Sequence, residues 1–124
     1  MALWRYHEET DGNIETALSN LQSWINNNKK LVGYSIKFAA SNQKTNPARA
    51  VAFWCESAVA TGSSDDNPTM HFKSEETFGD YEEIYNETCD TLSKLTNFQA
   101  SCASITFTNM SGKDATMSVW YPFS

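Results

Sequence analysis

Two stretches, "HEETDGN" at His7–Asn13 and "SEETFGD" at Ser74–Asp80, carry one phrase: Glu-Glu-Thr, a variable residue, Gly, and soon afterwards Asn or Asp. The matched glutamates lie 75 − 8 = 67 residues apart. The residues beyond each copy run in the same order of elements. After the first come Ile14, Ala17, Leu18, Leu21, Trp24 and Ile25, an apolar recurrence every three or four residues that predicts an amphipathic helix over Asn13–Asn28. After the second, Tyr81, Ile84, Tyr85, Cys89, Leu92 and Leu95 predict a helix over Asp80–Leu95. Acid at each start (Glu15; Glu82, Glu83) and lysine near each end (Lys29, Lys30; Lys94) complement the helix dipole.

Each helix leads into alternating segments, "LVGYSIKFA" and "CASITFTN", in which "SIKF" aligns with "SITF". Turns containing Asn46-Pro47 and Ser111-Gly112 then open "AVAFWC" and "TMSVWY", where Trp54 matches Trp120. Strand-like "LWRYH" and "MHFKS" precede the two shared phrases. The reading is an α+β fold built as a tandem β-α-β-β repeat of two copies. It is one domain of 124 residues, with repeat one at about 1–60, the polar linker "TGSSDDNP" at 61–68 and repeat two at about 69–124. An antiparallel or mixed sheet with both helices on one face is expected. Thr10 and Thr77 stand where N-caps belong, with Asn13 and Asp80 three residues on, and each glycine permits a tight passage from strand to helix. The pairs Glu8, Glu9 and Glu75, Glu76 are left without a full structural reason.

Hydrophobic residues at 40% and charged residues at 19% are those of a folding chain. A net charge of −6 excludes a general affinity for nucleic acid or anionic membrane, which need a basic footprint. No apolar run approaches a membrane span, and the first residues lack the pattern of a signal peptide. Cys55, Cys89 and Cys102 show no close pairing motif and are odd in number, which suits buried free thiols in a reducing, cytoplasmic setting. No nucleophile elbow, phosphate-binding glycine loop or H-E-x-x-H motif is present, so no cofactor is expected.

Period-two alternation assigns Val32, Tyr34, Ile36, Phe38, Val51, Phe53, Ile105, Phe107, Met117 and Val119 to the helix-covered face. The opposite set is Arg5, His7, Lys37, Trp54, His71, Lys73, Thr106, Ser118 and Trp120, basic for an acidic chain, with small Ala50 and Ala52 beside Trp54. Two indoles flanked by cations suit an anionic or aromatic small ligand such as a nucleotide, because the rings stack and the cations balance charge. The candidate ligand-binding set is therefore Arg5, His7, Lys37, Trp54, His71, Lys73 and Trp120. An exposed apolar face also marks self-association, so a homodimer is expected, with the ligand held at its interface.

Two other functions fit. The acidic helix face with Glu82, Glu83, Glu87 and Asp90 could block a basic surface of another protein, as an inhibitor or interaction module. The third concerns His7, His71 and Glu56, which the repeat could bring together to bind a divalent metal. Tandem modules with ligands from their first strands resemble the vicinal-oxygen-chelate enzymes, and that resemblance implies metal-dependent catalysis. Each copy here is one strand short of that pattern, and Glu56 has Pro122 as its counterpart.

Overall fold

The computed structural model describes residues 3–28, 34–42, 47–56, 69–77, 80–109 and 115–123. The chain runs β1 (Trp4–Asp11), α1 (Ile14–Asn27), β2 (Ser35–Ser41), β3 (Ala48–Cys55), β4 (Thr69–Thr77), α2 (Tyr81–Lys94), α3 (Asn97–Cys102), β5 (Ser104–Asn109) and β6 (Ala115–Phe123). The fold is α+β, with two three-stranded antiparallel sheets ordered β1-β3-β2 and β4-β6-β5. In each the last strand of the half lies in the middle. The sheets meet where edge strand β2 lies against edge strand β5. The polar linker 61–68, Lys29, Lys30, Val32, Asn46, Gly79 and the turn at Ser111-Gly112 fall outside the described residues.

Both long helices form within a residue of their expected bounds, but their caps are not the threonines. Asn13 caps α1: its Oδ1 accepts from the backbone N–H of Glu15 at 2.8 Å and of Thr16 at 3.3 Å. Asp80 caps α2, its Oδ1 accepting from Glu83 N at 3.1 Å. Asn13 and Asp80 stand directly before the first turn, where their carboxamide and carboxylate oxygens reach those N–H groups, while Thr10 remains paired in β1 opposite Arg49. Thr77 acts one step earlier, its Oγ1 accepting from Asp80 N at 3.1 Å. Gly12 is not needed for space, since a Cβ there would meet no heavy atom within 4 Å, and its backbone is not left-handed. The short α3 was missed by apolar periodicity. Its signal is local: Thr96 and Gln99 form a reciprocal capping box, Thr96 Oγ1 accepting from Gln99 N and Gln99 Oε1 from Thr96 N.

The helices do not share a face. Residues directly opposite in an antiparallel pair point the same way, so Trp4, Tyr6 and Glu8 join Cys55, Phe53 and Val51 on the inner face of the first sheet. Inner-face residues of the second sheet are Met117 and Val119 with Phe107 and Ile105 opposite them. Over both inner faces lies α2, contributing Ile84, Tyr85, Cys89 and Leu92 to one buried cluster with Trp4, Val51, Phe53, Cys55, Met117 and Val119. It touches β1 at one rim and β4 at the other. The other face of the first sheet takes α1, where Ala17 and Leu21 close on Ala50 and Ala52 with Ile25 and Ile36 around them. Hence β3 is covered on both sides, and every residue from Ala50 to Cys55 is buried.

This corrects the expected phase of β2. Ile36 stands opposite Trp54 and Phe38 opposite Ala52, on the α1 side, while Lys37 stands opposite Phe53 on the inner side. The letter match of "SIKF" with "SITF" is a slipped register: Lys37 faces Phe53, but it is Ile105, not Thr106, that faces Val119. A one-residue slip exchanges the two faces.

Asn13→Ala and Asp80→Ala should each lower the unfolding free energy by about 1 kcal/mol, whereas Thr10→Ala should stay within about 0.5 kcal/mol of the parent. Urea denaturation of the three variants checks this.

Candidate functional site

The seven residues expected to form one contact face are divided among three places. Arg5, His7 and Trp54 do share a face, because Arg5 pairs with Trp54 and His7 with Ala52. That face is closed by α1. The His7 ring stacks on Trp24 of α1 at 3.8 Å and 4°, and Trp24 in turn meets Trp54 at 5.3 Å. Trp54 is buried, and the space beside the alanines is filled by Ala17 and Leu21 rather than left for a ligand. Arg5 pairs with Glu56 at 3.4 Å at the exposed end of the sheet. His7 Nε2 is buried without a hydrogen-bond partner among the described residues, its nearest carboxylate being Glu9 Oε2 at 3.6 Å.

Lys37 lies on the opposite side, where its Nζ donates to Ser101 O at 3.3 Å. Burial pulls this ammonium below the ordinary lysine range. His71 and Lys73 pair with Tyr121 and Val119, so they point to the inner side of β4, away from Trp120. The face assignment for Lys37, His71 and Lys73 is thus inverted. The cause is the single slip in phase, together with reading all helices onto one side. His7, His71 and Glu56 do not converge, and among the described residues no group of three His, Cys, Asp or Glu side chains is placed to hold a metal ion.

Trp120 keeps the position expected for it. It lies on the outer face of the second sheet, half-buried, with its indole Nε1 donating to Thr106 Oγ1 at 3.3 Å. Phe72 stands opposite it in β4, with ring centroids 4.9 Å apart. Met70 flanks them on the same face, opposite Pro122. Phe72 is 58% and Met70 62% exposed, so this face carries two neighbouring large apolar side chains open to solvent; Phe38 of the first sheet and Leu18 of α1 are exposed as well. Ser74, Glu76, Ser104, Thr106, Thr108, Thr116 and Ser118 share it, and no Lys, Arg or His of the second sheet's described strands points there. Phe72 and Met70 were legible in "MHFKS" only once the register against β6 was known.

A second constellation lies on the inner side. Arg49 Nη1 binds Glu8 Oε2 at 2.8 Å, and the Tyr85 hydroxyl from α2 donates to the same oxygen. The Arg49 guanidinium sits 3.6 Å above the Tyr81 ring. Burial, then the hydrogen bond and charge of Glu8, push the Tyr85 hydroxyl far above the ordinary tyrosine range, so it acts only as a proton donor here. Burial opposes the charge on Arg49, but Glu8 outweighs it and the guanidinium is held above its ordinary value. The Cys89 thiol, buried nearby in the same cluster, is pushed up to about 12 by burial and then by Asp90, so it is no nucleophile. Cys55 is also buried, while Cys102 is exposed. In this network Arg49 and Tyr85 both hold the Glu8 carboxylate, which links β1, β3 and α2.

No family model, curated protein or solved structure matches the chain. No helix among the described residues is long and apolar enough to cross a membrane.

Tyr85→Phe should cost about 1.5–3 kcal/mol at neutral pH by removing a donor to a charged acceptor. The parent's alkaline limb has a definite sign. Above the unfolded tyrosine value of 10.0 the unfolded chain loses a proton that folded Tyr85 keeps, so stability falls as pH rises. Cys89 adds to that fall from its unfolded value of 9.0. Thermal melts between neutral pH and about pH 11 should show the fall in the parent and a shallower one in Tyr85→Phe.

Proposed function

We propose that this is a non-catalytic binding protein whose contact surface is the outer face of the β4-β6-β5 sheet. The observation that carries this reading is the pair of exposed side chains Met70 and Phe72 beside Trp120 on a face that no helix covers. Contiguous apolar surface of this kind marks a contact with another molecule. The chemistry it offers is flat and aromatic: an indole and a phenyl ring with hydroxyl groups around them, suited to a planar ring system or to an apolar patch of a partner. Neutralisation of an anionic ligand gets no support from the expected cations, since Arg5, Lys37 and Lys73 lie elsewhere. An aromatic ligand and self-association are therefore the forms of this function we favour, in a reducing compartment such as the cytoplasm that suits the buried thiols.

We also read the two halves as copies of one β-α-β-β unit. Glu8 opposite Val51 and Glu75 opposite Met117 are supporting registers, displaced by 67 and 66 residues in the two strands. On this reading Trp54 and Trp120 occupy equivalent places, and the copies differ in which face receives the helix. α1 covers the Trp54 side; α2 lies on the side away from Trp120, leaving that indole's face bare. The binding face is then what the second copy gained by losing the helix cover of the first.

Titration with anilinonaphthalene sulfonate, an aromatic probe, and with adenosine monophosphate tests the reading. Phe72→Ser and Trp120→Ser should each weaken dye binding about tenfold, with a small change in melting temperature, as expected for losing one stacked ring. Trp54→Ser should instead destabilise the fold by about 3 kcal/mol or more, as for a truncated core indole. Dye binding that is unchanged in both sheet variants would refute the assignment.

A further inference from the structure

We propose that the free edge of β4 pairs antiparallel with β4 of a second copy of this chain, in a register centred on Ser74. The proposal rests on the proposed function in one respect, that the outer faces joined by this pairing are the binding face.

In the order β4-β6-β5, one side of β4 is hydrogen-bonded to β6 and the other meets no described strand. The strand is nine residues long, and its side chains from Thr69 to Ser74 are all exposed. An unpaired edge of this length is a template for another strand. Lysine in an edge strand normally deters such pairing. Here Lys73 is followed two residues later by Glu75 on the same side of the sheet. Neither is in an ion pair among the described residues.

Antiparallel self-pairing has only a few registers, and charge separates them. Centred on Ser74, Lys73 faces the partner's Glu75, and two-fold symmetry repeats the contact with Glu75 facing the partner's Lys73. Thr77 then faces the partner's His71, Ser74 faces the partner's Ser74, and Phe72 lies along the stem of the partner's Glu76. Centred on Lys73, the two lysines would face each other. Centred on Phe72, Lys73 would face the partner's His71. Centred on Lys73, His71 would face the partner's Glu75, but next to the lysine pair; only the Ser74 register brings opposite charges together with no like pair. The other free edge, β1, has its charges engaged within the chain, Arg5 with Glu56 and Glu8 with Arg49. In the Ser74 register the two-fold axis is perpendicular to the sheet, so the two β4-β6-β5 sheets become one continuous sheet. Both Trp120–Phe72 clusters then lie on the same side. A strand-edge contact buries less than a standard interface, so the association belongs in the micromolar range, roughly.

The test is sedimentation equilibrium of the full chain, from about 1 µM to several hundred µM. The parent should dimerise. Lys73→Glu and Glu75→Lys should each weaken the dimer roughly tenfold, because either change replaces two attractive contacts with two repulsive ones. The double variant Lys73→Glu/Glu75→Lys should recover it, and a mixture of the two single variants should associate although neither does so alone. A chain that stays monomeric, single variants that dimerise like the parent, or a double variant that fails to recover would overturn the proposal. Phe72→Ser, assayed for both dimerisation and dye binding, separates this proposal from the functional reading. Lost dye binding with an intact, swap-sensitive dimer supports both. A dimer abolished by Phe72→Ser but indifferent to the charge swap means that the copies meet face to face, which ends the edge proposal and leaves the binding face standing.

Discussion

The constraint on which the rest of the structure depends is the carboxylate of Glu8. It points to the inner side of the first sheet, in a place only partly open to water, and a charge there needs partners that stay in position. Arg49 supplies the opposite charge from β3 and Tyr85 supplies a hydroxyl from α2. One oxygen thereby ties together two strands and a helix distant in sequence. Tyr81 places its ring beneath the guanidinium, so the cation is held on its other side as well. With α2 seated on this side, β1 and β3 have their inner face filled. The remaining amphipathic helix, α1, is left the opposite face.

That division explains the composition of β3. A strand with one wet face alternates apolar and polar residues; one covered on both faces reads as a continuous apolar run. "AVAFWC" is such a run, with alanines on the α1 side, where the helix approaches closely, and Val51 and Phe53 on the α2 side. The helices and their start points were legible in the sequence because the 3.6-residue period and the Asn and Asp caps are local signals. Which face each helix takes was not, since it depends on pairing registers that neighbouring residues do not encode. The repeated phrase precedes each long helix and misled at one place: "SIKF" and "SITF" match in letters but are offset by one position against their neighbouring strands. Lys37 was therefore placed outside, and Ile36 and Phe38 inside, when the reverse holds. Of the seven candidate residues, Trp120 is the one that lies on the outer face of the second sheet.

The two sheets also differ in how they end. The first has a helix on each side; the second has one side filled by α2 and the other bare, with its outermost strand solvent-exposed along most of its length. The first sheet is thus closed on both sides, while the second keeps one side open. The first half contributes the buried indoles Trp4 and Trp54 to packing, while the second carries the exposed Phe72 ring and the half-buried Trp120 on its outer face.

The position of α2 has a bearing on biosynthesis. Trp4 and Ser93 are joined by a hydrogen bond of 3.0 Å across 89 positions of chain, and the inner face of the first sheet is closed by a helix made after it. From Cys55 to Lys94 is 94 − 55 = 39 residues, which a ribosome adds in about 2–8 s at ordinary elongation rates. During that interval Val51, Phe53 and Cys55 have been made and have no helix to cover them. A nascent chain in this state offers a greasy strand triplet to chaperones or to a neighbouring nascent chain. Glu8 and Arg49 are both made before Tyr85, so the last partner of the Glu8 carboxylate arrives with α2.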